Sequence, residues 1–305
     1  MKKNSPNYGL AKEQFYEIDK HFYENYNIEY FGTRLLDIVQ KLSNPQEYIK
    51  FLSNKKLTFD KVSILNIEDS KIEDIVLSAK LELITTHYHC LESFMRLFIA
   101  LNNNEGCVNL ALAELESRDF RRIVKNLAKG DYSNFKDTSN NVILNAFIGN
   151  NPQPKLLDDS YIENWKDWIQ QIARSLLDSN ANNVYKHGFC LQVCKSSIAI
   201  GIENKDIAIK NNGDTVINYT ISRERNIWIK KTRFVNYSLM IAEIDIISKM
   251  IGSMIEIRKI KTKELTLYYP SPETTYQKIV ELAENSRDNP FQLKSMEIDL
   301  LYYNK

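Results

Sequence analysis

Apolar residues recur at steps of three and four along most of this chain, which is the period of an amphipathic α-helix. The segments with this pattern are 10–24, 28–42, 45–53, 69–103, 107–129, 140–148, 159–189, 236–256 and 272–285. We predict a helix in each of them. The scarcity of Gly and Pro, with 9 and 7 residues, also favours helices over a turn-rich barrel.

The period changes to two after Gly188, which is typical of β-strands. Alternating segments cover 189–195, 197–203, 206–212, 215–222 and 226–234, with residues 211–214, Asn-Asn-Gly-Asp, predicted as a turn. Residues 57–66 also alternate and predict a short strand or an extended link. The sequence therefore predicts a mainly α fold, α+β overall. It is a helical bundle with a small antiparallel β-meander inserted before the closing helix.

Composition limits the class of protein. Hydrophobic residues make up 43% of the 305 residues and charged residues 26%, as in soluble globular proteins. No apolar run is long enough to cross a membrane, and the first twenty residues contain no signal-peptide core, so we expect no membrane partner. Four cysteines without a framework spacing indicate free thiols and a cytoplasmic location. Because the net charge is only +1, any affinity for nucleic acid must come from a local patch.

One face of the predicted helix 159–189 turns from apolar to polar without losing its period. Its members are Trp165, Trp168, Ile169, Ile172 and Leu176, followed by Asn180, Asn183 and His187. An inward-facing amide or imidazole needs hydrogen-bond partners, since leaving it unsatisfied costs about 1–3 kcal/mol. The pattern predicts a polar site at the end of this helix.

The spacing of His187, Cys190 and Cys194 is H-x2-C-x3-C, which resembles part of a zinc site. The two cysteines fall in an alternating strand and no fourth ligand is evident, so we interpret them as core thiols. Gly-rich phosphate loops and nucleophile elbows are absent from the sequence. We expect no metal and no cofactor.

The segment Asn182-Asn183-Val-Tyr-Lys186-His187 resembles the signature of the HEPN superfamily. That signature is an Arg, usually a polar residue, three variable residues and a His near a helix end. Asn183 and His187 match it, whereas Asn182 stands at the position of the Arg. The resemblance implies RNA as the partner, a metal-independent RNase site shared by two protomers, and therefore a homodimer.

In layout the resemblance covers residues 69–256. It divides the chain into an N-terminal helical extension (1–68), a HEPN-like helical core (69–256) with the β insert at about 188–234, and a C-terminal strand and helix tail (257–305). The sequence shows no internal repeat and no low-complexity segment.

Metal-free RNA cleavage needs an acid or base, a cation for the phosphorane charge and groups that orient them. We assign the acid/base role to His187, the cation to Lys186 or Arg96, and the orienting role to Asn183. The polar row of helix 69–103, which includes His89, Glu92 and Arg96, is predicted to complete this pocket. The alternatives are a structural Asn–His pair and a solvated row with an internal Glu92–Arg96 ion pair.

Five cations share one face of the predicted helix 107–129: Arg118, Arg121, Arg122, Lys125 and Lys129. Such a stripe is a candidate RNA-binding surface, and a second basic stretch lies at 223–233. The alternative is an ordinary solvated face, and Glu114 and Glu116 weaken the patch.

Three functional hypotheses follow. The first is a metal-independent endoribonuclease of a toxin or phage-defence system, in which the HEPN-like site is catalytic. The second is a catalytically inactive HEPN-like scaffold that binds RNA or a partner protein of the same operon, which Asn182 favours. The third is a protein-interaction adaptor whose meander, with Trp228 exposed, docks a partner strand.

Overall fold

A computed structural model shows the arrangement of most of the chain. The described residues are 9–53, 57–60, 62–64, 71–104, 106–149, 158–178, 192–202, 205–222, 227–259, 271–285 and 295–300. The described helices are α1 (Lys12–Asn25), α2 (Tyr30–Ser43), α3 (Pro45–Ser53), α4 (Ile72–Asn103), α5 (Val108–Glu114), α6 (Ser117–Leu127), α7 (Ser139–Phe147), α8 (Asp159–Asp178), α9 (Tyr237–Glu256) and α10 (Tyr276–Asn285). The described strands are β1 (Leu57–Phe59), β2 (Val62–Ile64), β3 (Gln192–Ile202), β4 (Lys205–Ser222), β5 (Ile227–Phe234) and β6 (Ser295–Leu300).

These elements confirm the predicted fold class, a mainly helical protein with a small antiparallel sheet. The chain forms two compact units. Unit 1 contains residues 1–33, 87–180 and 242–281, and unit 2 contains residues 34–86, 181–241 and 282–305. Within the residues described, no helix is both long enough and apolar enough to span a bilayer.

The core of unit 1 is built around α8, whose apolar face is buried as its period predicts. Trp165, Trp168, Ile169 and Ile172 are all fully enclosed. The Phe147 ring of α7 lies 4.9 Å from the Trp165 ring, and the Trp168 indole donates to the Thr274 carbonyl at 3.1 Å. Burying two large aromatic side chains on one helix supplies much of the hydrophobic stabilisation of this unit.

The single helix predicted for 107–129 is wrong, because the chain divides there into α5 and α6. Leu115 and Glu116 leave the helical conformation, with ψ of 88° and 150°. The Arg96 guanidinium donates to the freed Leu115 carbonyl at 3.1 Å, which satisfies a group that a continuous helix would use internally. Because Arg96 lies on α4, the sequence pattern around Leu115 does not indicate this contact.

The turn predicted at 211–214 is also wrong. These residues continue β4, and Asn212, Gly213 and Asp214 pair with β3 across a long antiparallel ladder. Gly213 does not adopt the positive φ that a two-residue hairpin turn requires. The same pairing joins the predicted strands at 189–195 and 197–203 into the single strand β3.

The sheet of unit 2 has the order β3-β4-β5-β6, with all neighbours antiparallel. Its last strand comes from the C-terminal tail, for which the sequence predicted no strand at this position. Lys80 of α4 forms an ion pair with Asp214 of β4 and its ammonium lies 5.4 Å from the centre of the Tyr237 ring. In place of the one short strand or extended link predicted for 57–66, residues 57–64 contain two short strands, β1 and β2, paired as a hairpin, with Asp60 in the positive-φ region at its turn.

Candidate nucleic-acid interface

Helix α6 is amphipathic, and its apolar face is buried in unit 1. The buried side chains are Phe120, Ile123, Val124 and Leu127. Their spacing of three, one and three residues places them on one side of the helix, which packs on α8. Asp119 in the first turn and Lys125 in the last turn both complement the helix dipole. The helix is therefore fixed by its apolar side, and its opposite side faces solvent.

Four cations of the predicted basic stripe lie on that solvent side, and the fifth, Lys129, follows two residues after the end of α6. Arg118, Arg121, Arg122, Lys125 and Lys129 are each exposed. Arg122 bonds the Asp119 carboxylate at 3.1 Å and the Asn134 amide oxygen at 3.0 Å. Within the described part of the chain, the other four form no ion pair. The structure thus confirms the shared face and leaves most of its charge available to a ligand.

A sixth cation lies at the end of the stripe. Arg174 of α8 is exposed and its Nε–H donates to the Ala128 carbonyl at 3.1 Å, immediately after α6. Sequence reasoning missed Arg174, because it is a single cation in an ordinary polar position of another helix. Only the packing of α6 against α8 brings it to the stripe.

One carboxylate moderates the positive potential at the same end. The Ser133 amide donates to Asp131 at 2.8 Å, and this hydrogen bond lowers the pKa of the Asp131 carboxyl. The group is therefore ionised at neutral pH, two residues from Lys129. Asp131 therefore offsets part of the positive charge at the Lys129 end of the stripe.

The predicted catalytic cation Arg96 is engaged within the protein. Its Nε donates to Glu92 at 2.8 Å, its Nη1 to the Leu115 carbonyl at 3.1 Å, and its guanidinium lies 4.6 Å from the centre of the Phe120 ring. These contacts fix α4 against the start of α6. They confirm the internal Glu92–Arg96 pair and give Arg96 a positioning role for the basic helix.

His89 is on the same helix but has a different environment. Its imidazole is exposed, and its ring lies edge-on to the Tyr30 ring at 5.8 Å and to the Phe31 ring at 5.1 Å. The structure therefore brings Glu92 and Arg96 together and places His89 against aromatic side chains. Its assignment to a catalytic pocket stays a prediction.

The HEPN-like motif itself lies outside the described residues. This applies to Asn182, Asn183, Lys186 and His187, and to the predicted continuation of α8 beyond Asp178. Their roles in acid/base chemistry remain those inferred from the sequence.

A buried polar cluster in unit 1 was not predicted as a site. His87 Nε2 lies 2.6 Å from Glu243 Oε2, and the Tyr276 hydroxyl donates to Glu243 Oε1 at 2.7 Å. Burial, reinforced by Glu243, raises the pKa of the Tyr276 hydroxyl, so this phenol stays protonated. Only 5% of His87 and 2% of Glu243 are exposed, which closes the cluster to a macromolecular substrate. The feature of the sequence that could have indicated this cluster is Glu243, a glutamate within an isoleucine-rich helix.

The sheet of unit 2 presents aromatic residues, as the adaptor hypothesis assumed. Trp228 is 42% exposed and Tyr219 48% exposed. Tyr219 is paired directly with Lys230, two residues from Trp228 on the same strand, so all three side chains lie on one face. Exposure of Trp228 is thus confirmed, while a partner for it stays a prediction.

No family model, curated protein or solved structure matches this chain. Among the residues described, no group of three or more His, Cys, Asp or Glu side chains is arranged to hold a metal ion.

Proposed function

We propose that this protein binds RNA and that the exposed basic face of α6 contacts the phosphate backbone. The observation that carries the proposal is a set of five exposed cations, four on the solvent-facing side of the well-anchored helix α6 and Lys129 just after its end. Sequence-independent affinity for nucleic acid comes from such contacts, because each one releases condensed counterions.

The length of the stripe suits several consecutive phosphates along one RNA strand. At about 1.5 Å per residue, Arg118 and Lys125 are about 10 Å apart along the helix axis, and Lys129 and Arg174 extend the line. Phosphates in one strand of a regular duplex are about 3.4 Å apart along the axis. The face therefore spans several consecutive phosphates and has no need of base-specific contacts. The choice of RNA over DNA comes from the resemblance of the 182–187 segment to the HEPN signature.

The decisive variant reverses two central charges. We expect Arg121→Glu/Arg122→Glu to weaken binding of a fluorescently labelled, unstructured 20-nucleotide RNA by about tenfold or more at low salt, measured by fluorescence anisotropy. The matched control, Lys71→Glu/Lys278→Glu, changes net charge equally at exposed positions that are not part of α6. Equal weakening by both double variants would show that only net charge matters, and would remove α6 as the binding surface.

The described geometry favours binding over catalysis, because Arg96 is committed to Glu92, Leu115 and Phe120. The second candidate is a metal-independent endoribonuclease in a toxin or phage-defence system, supported by the His187 motif in the sequence. The test is incubation with total RNA in the presence of a chelator, beside His187→Ala. Cleavage by the wild type alone would support the enzyme, and equal cleavage by both, or none, would exclude it.

The resemblance also implies a homodimer, and a partner protein of the same operon is a separate candidate ligand. Light scattering after size exclusion tests the first of these. A monomer over the concentration range of the RNA-binding assay would show that α6 acts without a shared site.

A further inference from the structure

Unit 1 contains a cavity of about 940 Å³ beside α1. Small-molecule sites in proteins are clefts of about 300–1,000 Å³, so this volume accommodates an organic ligand of moderate size. One wall is a single face of α1, formed by Lys12, Tyr16, Lys20 and Tyr23. Steps of three and four residues place these side chains on the same side of the helix. The cavity is separate from the basic stripe, which lies on α6.

Two charged residues hold the inner wall rigidly. Asp19 accepts hydrogen bonds from the Val108 and Asn109 amides at 2.9 Å and from the Cys107 thiol at 3.1 Å, so its carboxylate caps α5. Arg258 donates to the Ala146 carbonyl at 3.0 Å and the Met254 carbonyl at 2.9 Å. These bonds order the wall before any ligand arrives.

Other lining groups are not used by the fold. Lys12 and Lys20 are exposed and form no ion pair within the described residues. Tyr16 is 57% exposed, whereas Tyr23 is 6% exposed. Burial raises the pKa of the Tyr23 hydroxyl, with Arg258 opposing and Asp19 reinforcing the shift. The phenol is therefore neutral and able to donate or accept a hydrogen bond inside the cavity.

The lining combines three cations, Lys12, Lys20 and Arg258, with one carboxylate, Asp19. Aromatic side chains from Tyr16, Tyr23 and Phe15 lie beside them. Positive charge next to aromatic surface is complementary to a planar ring that carries an anionic group. A neutral apolar ligand would leave the two lysines unused, and an inorganic anion would leave the aromatic wall uncovered.

We propose that this cavity binds a small organic anion with a planar ring, in the chemical class of a nucleoside phosphate. Lys12 and Lys20 hold the phosphate, Tyr16 stacks on the ring, and Tyr23 supplies a hydrogen bond deeper in the cavity. The same chemistry is present in a free mononucleotide and in the phosphorylated 5′ end of an RNA chain. The inference does not depend on RNA binding by α6.

The test uses the full chain and isothermal titration calorimetry with the four ribonucleoside triphosphates. We expect at least one to bind with a stoichiometry of one per chain. Its nucleoside and inorganic triphosphate, titrated separately, should each bind at least about tenfold more weakly. No saturable binding of any of the four up to about 5 mM would overturn the proposal. Equal affinity for inorganic triphosphate would also overturn it, by showing an anion site without ring recognition.

Variants locate the ligand. Lys20→Glu and Tyr16→Ala change exposed side chains and should each weaken nucleotide binding about tenfold or more, whereas Lys278→Glu should not. Loss of nucleotide binding in Arg121→Glu/Arg122→Glu, with Lys20→Glu unaffected, would place the ligand on α6 and contradict the proposal.

A competition assay then separates the two sources of the ligand. Displacement of the nucleotide by a 5′-phosphorylated RNA, but not by the same RNA with a 5′-hydroxyl, would identify the RNA end as the ligand. No displacement by either RNA would identify the free nucleotide.

Discussion

Helices α4 and α6 both have a polar side, but the two sides have different environments. On α4, Glu82 forms ion pairs with Lys41 at 3.2 Å and with Arg34 at 3.4 Å. Glu92, on the same helix, forms an ion pair with Arg96 at 2.8 Å. On α6 the cations face solvent, and within the described residues only Arg122 forms an ion pair. One polar face is used to hold the protein together, and the other remains available for a ligand.

The period of a polar stripe does not by itself reveal the function of that stripe. Both stripes repeat at helical steps in the sequence, and both are compatible with a solvated face. What separates them is the supply of opposite charge from elsewhere in the chain. Since paired charges are expected to contribute to stability and unpaired cations to binding, variants of the two helices should affect different measurements.

The largest expected effect on stability comes from Glu243, the buried partner of His87 on α4. Glu243→Ala removes the group that satisfies His87 and Tyr276, and leaving buried polar groups unpaired should cost about 3–5 kcal/mol in the free energy of unfolding. Urea denaturation at neutral pH measures this loss. The control is Asp245→Ala on the same helix, an exposed carboxylate paired with Lys249, which should cost about 0.5 kcal/mol or less. Similar losses in both variants would contradict the structural role of the cluster.

A smaller effect is expected at Arg96. Arg96→Met removes the Glu92 ion pair, the Leu115 hydrogen bond and the contact with the Phe120 ring, and should cost about 1–2 kcal/mol. The matched change on α6, Arg121→Met, should alter the free energy of unfolding by about 0.5 kcal/mol or less. Equal destabilisation would erase the distinction between the two helices. The comparison needs only chemical denaturation of the two variants and the wild type.

A pH titration probes the buried groups of unit 1 together. Burial is the largest cause that raises the pKa of the Cys107 thiol from 9.0 to about 11, and burial also raises the pKa of Tyr276. The folded state thus holds these protons more tightly, so the associated stability is complete below about pH 9 and is lost as pH rises toward 11. Urea midpoints should fall across this window. The urea midpoint of Cys107→Ala should fall less steeply across this window. A wild-type urea midpoint that increases as the pH rises above 9 would contradict the assignment.

The sequence was sufficient for the features that depend on local period. The buried tryptophans of α8 and the shared face of Arg118, Arg121 and Arg122 both follow from residue spacing within one segment. In the structure, the apolar faces of α8 and α6 are buried as their residue spacing predicts.

Features that depend on distant partners were missed. The contact of His87 with Glu243 joins residues 156 positions apart, and the break at Leu115 is completed by Arg96 from another helix. The Asn-Asn-Gly-Asp segment has turn chemistry, yet its pairing with β3 holds it extended. In each case a tertiary contact overrides or completes a local preference that is correct in isolation.

The salt dependence of RNA binding tests whether the basic face of α6 contacts phosphates. Between about 50 and 200 mM salt, five phosphate contacts to a single strand predict a slope of about −3.5 for the logarithm of affinity against that of salt concentration. For Arg121→Glu/Arg122→Glu we predict a slope shallower by about 1.4 or more, with the Lys71→Glu/Lys278→Glu slope unchanged. Identical slopes for the wild type and the α6 variant would contradict the account.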